Sequence, residues 1–166
     1  MKKLTVFILP LAVVFMVLTA CINNKSSVSG DTDRMAGGSL TDPVVQYIRI
    51  GSGFGPRNPT CTVISSVSEL EQYSRNFNSG SFWDTGYTEA VSRYTTTYFS
   101  NNFLVIVFLE ENSGSNRHKV ESINNNGDIV IQQIIPEIGT TDMATWNIII
   151  ELNNSYKQEQ FRVILR

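Results

Sequence analysis

One imidazole, two thiols and fifteen carboxylates are the groups in this 166-residue chain that could carry chemistry beyond its hydroxyls. His118 is the only histidine, so any Ser-His-Asp machine must use it, and no Gly-x-Ser-x-Gly elbow is present. One histidine and one spare cysteine also fall short of the ligand sets that zinc needs. Glu110 and Glu111 are adjacent, so on a strand they point to opposite faces and cannot flank one substrate as glycosidase carboxylates do. Glu137 and Asp142 flank the loop after Ile135 and add scattered acids rather than a facing pair. Asn124 to Asp128 has calcium-like residue types, but Gln133 stands where the closing glutamate belongs, so a plain turn accounts for it. Gly51-Ser52-Gly53-Phe54-Gly55 is followed by no Lys-Ser/Thr and reads as a loop, not a phosphate cradle. No metal or cofactor is expected.

The two cysteines have different expected fates. Lys2 and Lys3 precede an apolar stretch from Leu4 to Leu18, and Leu18-Thr19-Ala20-Cys21 ends it with small residues and a thiol. That pattern resembles the bacterial lipobox, which implies a signal peptide over residues 1–20 and acyl chains on Cys21. The alternatives are an uncleaved signal anchor or a secreted protein cut elsewhere. Two or more acyl chains suffice for stable anchoring, so the expected location is the outer face of the cytoplasmic membrane. Cys61 is then alone, without a partner for an internal disulfide, and reads as a small buried residue.

Removing twenty residues leaves a chain sized for one domain. Without Lys2 and Lys3, eleven basic residues face fifteen acids, so the mature chain carries about −4 and presents no basic face for nucleic acid. Residues 21–42 are rich in Ser, Gly, Asn and Asp and read as a flexible tether; the globular domain is expected over 43–166.

The elements that must position any site centre on Phe103-Leu104-Val105-Ile106-Val107-Phe108-Leu109. Seven apolar residues without a break predict a strand buried on both faces. Val44 to Ile50 and Thr60 to Ile64 read as earlier strands. Ser66-Val67-Ser68-Glu69 fits a capping box and opens a helix over Val67 to Asn76; a second helix is expected over Thr88 to Tyr94. Arg117 to Ile123 and Asp128 to Ile135 predict a hairpin with a two-residue Asn126-Gly127 turn. That turn pairs Ile123 with Val130 and puts His118, Val120, Ser122, Ile129, Ile131, Gln133 and Ile135 on the core face. Thr145 to Leu152 alternates cleanly, with Trp146, Ile148, Ile150 and Leu152 on one side, and Phe161, Val163 and Leu165 repeat the pattern. The fold class is α+β: a mainly antiparallel sheet of about five to seven strands with one or two short helices on one face.

Counting strands up and down brings the Glu110 to Asn116 loop and the Pro136 to Ala144 loop to the same end. Ser113, Gly114, Ser115, Arg117, Asp142 and Met143 are the candidate binding residues there.

Leu104-Val105-Ile106-Val107, then Glu111-Asn112-Ser113-Gly114-Ser115-Asn116-Arg117-His118-Lys119-Val120, then Pro136 to Trp146 resemble uncharacterised lipoproteins of Gram-positive bacteria. More distantly, a buried strand followed by a small-residue loop resembles the C-terminal domain of the protease complex subunit PrcB, over about Val63 to Leu165. The resemblance implies a non-catalytic domain that binds or regulates a protein partner such as a secreted protease. Two other function classes remain open. A hydrolase using His118 needs the ring on an exposed edge with an acid and a nucleophile at its two nitrogens. A small-ligand-binding lipoprotein needs a concave pocket.

Overall fold

The structure is a computed structural model, and it describes residues 40–41, 43–51, 58–77 and 85–166. In chain order the elements are β1 (Leu40–Thr41), β2 (Val44–Gly51), β3 (Thr60–Ile64), α1 (Val67–Phe77), α2 (Thr85–Ser92), α3 (Thr96–Phe99), β4 (Asn102–Glu111), β5 (Arg117–Ile123), β6 (Asp128–Ile134), β7 (Ala144–Asn153), a single 3-10 turn (Asn154–Tyr156) and β8 (Arg162–Leu165). The class is α+β, with the strands divided between two sheets rather than gathered into one. The inner sheet has the order β2-β7-β4-β3 and the outer sheet β1-β5-β6-β8. Every pairing is antiparallel except that of β6 with β8.

The composition of β4 and β7 explains the second sheet. β4 is apolar on both faces, and β7, apolar on one, buries Thr145 and Asn147 beside Ile149 on the other, so each face needs cover. On one side Phe103, Val105, Val107 and Leu109 of β4 join Trp146, Ile148 and Ile150 of β7 against Val120, Ile123, Ile129 and Ile131 of the outer sheet. On the other, Leu104, Ile106, Phe108 and Ile149 lie under Leu70, Tyr73, Tyr87 and Tyr94 of the helical segment. Sheet against sheet and helix against sheet give three layers around β4, whose residues Phe103 to Leu109 are all buried.

At α1 the Glu69 amide donates to Ser66 Oγ as the capping box expects, while the Glu69 carboxylate accepts from the amide of Ser65, one residue before the cap, instead of from Ser66. The second helix differs from expectation. It runs over Thr85–Ser92, and the β-prone Thr96-Thr97-Tyr98-Phe99 stretch forms a separate short helix, α3, after the extended Thr95. Tyr98 stacks edge-on with Tyr94 and Phe99, at ring separations of 4.9 and 5.3 Å. Packing against the inner sheet outweighs the local strand preference there.

The β5–β6 register also differs. Ile123 pairs with Ile129, not Val130, so the loop has three residues, 125–127. Asn124 Oδ1 accepts from the amides of Asn126 and Asp128, which closes a wider turn than the two-residue form. Gly127 takes φ +79°, the left-handed residue such three-residue loops require. A bulge between Val120 and Ser122 shifts the register once more. Ile123 thereby replaces Ser122 on the core face, while β6 stops at Ile134 and leaves Ile135 exposed rather than buried.

Leu40–Thr41 pairs with Ile123 and Ser122, so regular structure begins just before the expected boundary at Pro43. The pairing sets a direction. The described chain enters beside the β5–β6 hairpin, and the loops after β4 and β6 emerge at the opposite end.

Candidate functional site

Loops 112–116 and 135–143 meet at one end of the sheets, as the alternation of strand directions requires. They are stapled through backbone and hydroxyl groups. The Gly114 amide donates to the Asp142 carbonyl at 2.7 Å. The Thr140 amide donates to Ser115 Oγ at 2.7 Å and Ser113 Oγ at 3.1 Å, and Ser115 Oγ donates to Thr140 Oγ1 at 2.9 Å. Arg49, opposite Trp146 on β2, reaches Asp142 Oδ2 at 2.5 Å. A Cβ on Gly114 would stand 2.4 Å from Asp142 Oδ2 and 2.6 Å from Arg49 Nη2. The close approach of these two side chains therefore requires glycine at 114.

Hydrogen bonding to Thr140, and then to the Arg49 guanidinium, holds the Asp142 carboxyl below its ordinary range. Arg117 Nη1 donates to the carbonyls of Gly114 at 2.8 Å and Asn116 at 2.9 Å, and its guanidinium lies 5.5 Å from the centre of the Trp146 ring. Ser113, Gly114, Ser115, Arg117 and Asp142 thus belong to one connected structure. Met143 is exposed at the foot of β7, beside them in sequence. Cys21, the expected lipidation site, lies outside the described residues.

Beneath the staple is a buried polar cluster. Glu111 continues the face of β4 that carries Val107 and Leu109, and His118, Gln133 and Trp146 stand on the matching faces of β5, β6 and β7. His118 Nε2 lies 2.6 Å from Glu111 Oε1. Gln133 Nε2 donates to both Glu111 oxygens, at 2.8 and 2.7 Å, and Asn116 Nδ2 donates to Oε2 at 2.8 Å. A carboxylate accepting from Nε2 calls for the proton on that nitrogen. Nδ1 has no partner, and neither has the buried Trp146 Nε1, although the two rings meet edge-on at 5.4 Å.

Comparison with family models, with curated proteins and with solved structures gives no significant match.

The site is therefore read from its own geometry. His118 has an acid on one nitrogen, but its side chain has no exposed area and no nucleophile meets the other nitrogen. Among the described residues no cluster of three His, Cys, Asp or Glu side chains could hold a metal ion. Cys61 is half-buried, and desolvation pushes its thiol up to about 11, away from reactivity. A hollow of about 460 Å³ lined by Ser65, Ser66, Val67, Ser68, Thr96, Phe99 and Ser100 lies at the start of α1, at the end of the inner sheet away from the loops.

Sequence reasoning named the loops but missed Arg49 and Thr140, which hold them, and the pairing of Glu111 with His118. A signal for the pair was present. Glu111 keeps step with Val105, Val107 and Leu109, and His118 keeps step with Val120, so both face the inter-sheet core.

Proposed function

We propose that this chain is a membrane-anchored extracytoplasmic lipoprotein, held through Cys21, that acts as a non-catalytic binding or regulatory module. The observation that carries this reading is the pair of stapled loops. Their backbone and hydroxyl groups are satisfied by one another, so the end is a preformed surface that needs little ordering on contact. It stands at the end of the domain opposite the entry of the chain, where a tethered domain is best placed to meet another protein. A secreted protease is the partner the resemblance to PrcB suggests. The hydrolase reading finds no comparable support, because the ring of His118 is closed off beneath Trp146 and Glu111.

Affinity capture from detergent-solubilised membranes tests the reading, comparing the wild type with the double variant Arg117→Glu, Asp142→Arg. The expected outcome is loss of specific partners from the variant. Identical partner sets from both chains would remove the loop end as the contact surface. Mass spectrometry of the mature N-terminus tests the anchor, with a diacylated or triacylated Cys21 expected and a free thiol there contradicting it.

A further inference from the structure

Three consecutive asparagines, Asn124, Asn125 and Asn126, form the hairpin end, and the fold treats each differently. Asn124 is fully engaged: its Oδ1 accepts from the amides of Asn126 and Asp128, and its Nδ2 donates to Asp128 Oδ2 at 2.8 Å. Asn125 is exposed and is followed by a residue that carries a side chain. Asn126 is exposed too, lends the turn its backbone amide rather than its carboxamide, and is followed by Gly127. It is the only asparagine of the chain that precedes a glycine.

That pairing has a chemistry of its own. A main-chain amide nitrogen can attack the carboxamide carbon of the asparagine before it, and a glycine nitrogen does so with no Cβ to crowd the closing ring. The bond from Gly127 N to Asn126 Cγ forms, the bond from Cγ to Nδ2 breaks, and the departing amino group leaves as ammonia with the proton that Gly127 N gives up. Water then opens the cyclic imide at either of its carbonyls. One route gives aspartate and the other isoaspartate, and only water is consumed.

We infer that Asn126 is a modification site, converted by this route at a rate set by opening of the β5–β6 turn. The closed turn withholds the nucleophile. Gly127 is buried, and its N–H donates to the Asn124 carbonyl at 3.0 Å. Opening one loop tip takes far less free energy than unfolding the sheets. The reaction therefore proceeds from an open turn on an otherwise folded domain.

The products change the hairpin end. Each conversion adds a carboxylate beside Asp128 to a chain that is already net acidic. Isoaspartate also lengthens the main chain by one carbon where slack is least. The Gly127 carbonyl accepts from the Arg162 amide at 3.0 Å, and a Cβ at Gly127 would stand 2.0 Å from the Gln160 carbonyl oxygen. The longer chain is expected to give up the Arg162 bond, which loosens the start of β8.

Peptide mass spectrometry of the full chain after incubation at neutral pH tests the inference, with the aspartate and isoaspartate forms separated by elution. The mass gain of an amide-to-acid conversion is expected at Asn126 ahead of Asn125 and Asn112, and Asn126→Gln is expected to abolish it. Asn124→Ala removes the side-chain bonds of the turn and is expected to convert about fivefold faster, the factor that one hydrogen bond's worth of turn stability supplies. Wild-type chain unfolded in urea, an arm that needs no variant to fold, is expected to convert faster still. Absence of the gain at Asn126, or an equal gain at Asn125, would overturn the site. Equal rates in folded and urea-unfolded wild type would overturn the gate, as would an unchanged rate in Asn124→Ala.

Discussion

The two ends of the sandwich are built from different materials. At the hairpin end, Asn124 makes an Asx turn, Gly127 supplies the left-handed residue, and Asp128 pairs with Arg162 on the neighbouring strand β8. Most of these contacts are made within a few residues of one turn. At the loop end, Arg49 reaches Asp142 across 93 positions and Gln133 reaches Glu111 across 22. The hairpin end is closed by its own turn and one ion pair, from the buried Asp128 to Arg162 at 34 positions, and the loop end by a network of side-chain bonds that gathers several distant segments above the buried Glu111. The difference separates an end that needs only to turn the chain from one whose surface must be held in a fixed shape.

The largest way to break the comparison is Glu111→Ala. It strips His118, Gln133 and Asn116 of their common acceptor inside the fold, and with each buried donor left unsatisfied costing about 1–3 kcal/mol the loss is expected to be about 3 kcal/mol or more. A urea midpoint shift of that size is expected; a shift below about 1 kcal/mol would show that the cluster does not hold the loop end. Next is Gly127→Ala at the other end, where the added Cβ would lie 2.0 Å from the Gln160 carbonyl oxygen and the backbone is left-handed. Strain and clash together are expected to cost about 2 kcal/mol or more, read in the same titration.

Gly114→Ala should be milder, about 1 kcal/mol. Its Cβ meets the ends of two mobile, half-exposed side chains rather than backbone, so the staple opens while the sheets persist. Amide exchange at residues 114 and 140 checks this, with faster exchange expected there and no change in the hairpin.

Both ends carry a carboxyl held below its ordinary range: Asp128 by hydrogen bonding to Arg162 and then Asn124, and Asp142 by Thr140 and then Arg49. For a depressed carboxyl the stabilisation is present above the unfolded pKa and is lost as pH falls through the lower folded one. Carbonyl chemical shifts followed by NMR are therefore expected to titrate below the normal aspartate range at both sites. Arg49→Gln should return Asp142 part of the way and leave Asp128 unmoved. The smallest effect is that of Ile138→Asp on stability, expected within about 0.5 kcal/mol because the side chain is 89% exposed.

The same contrast governs how much could be read in advance. Strand and helix positions were legible wherever periodicity or a turn dipeptide spoke for itself: the Phe103 to Leu109 run, the Ser66 to Glu69 cap and the Trp146 to Leu152 alternation. The meeting of the two loops followed from strand direction alone. The division into two sheets did not, because pairing between β2 and β7 or between β6 and β8 leaves no local mark in the chain. The hairpin register went astray by one residue through the Asn124 side chain and again through the bulge before Ser122, neither of which hydrophobic pattern encodes. Arg49 and Thr140 were missed for the same reason: each is an ordinary polar residue until a distant loop is brought beside it.

The central claim is that the loop end, not the hairpin end, is the contact surface of an anchored module. Hydrogen–deuterium exchange on the full chain tests it most directly, comparing the protein in its own membranes with the same protein extracted and diluted in detergent. Slower exchange in the membrane over residues 134–143, with residues 124–128 unchanged, is the predicted result. Equal exchange at both ends in the two conditions would contradict it.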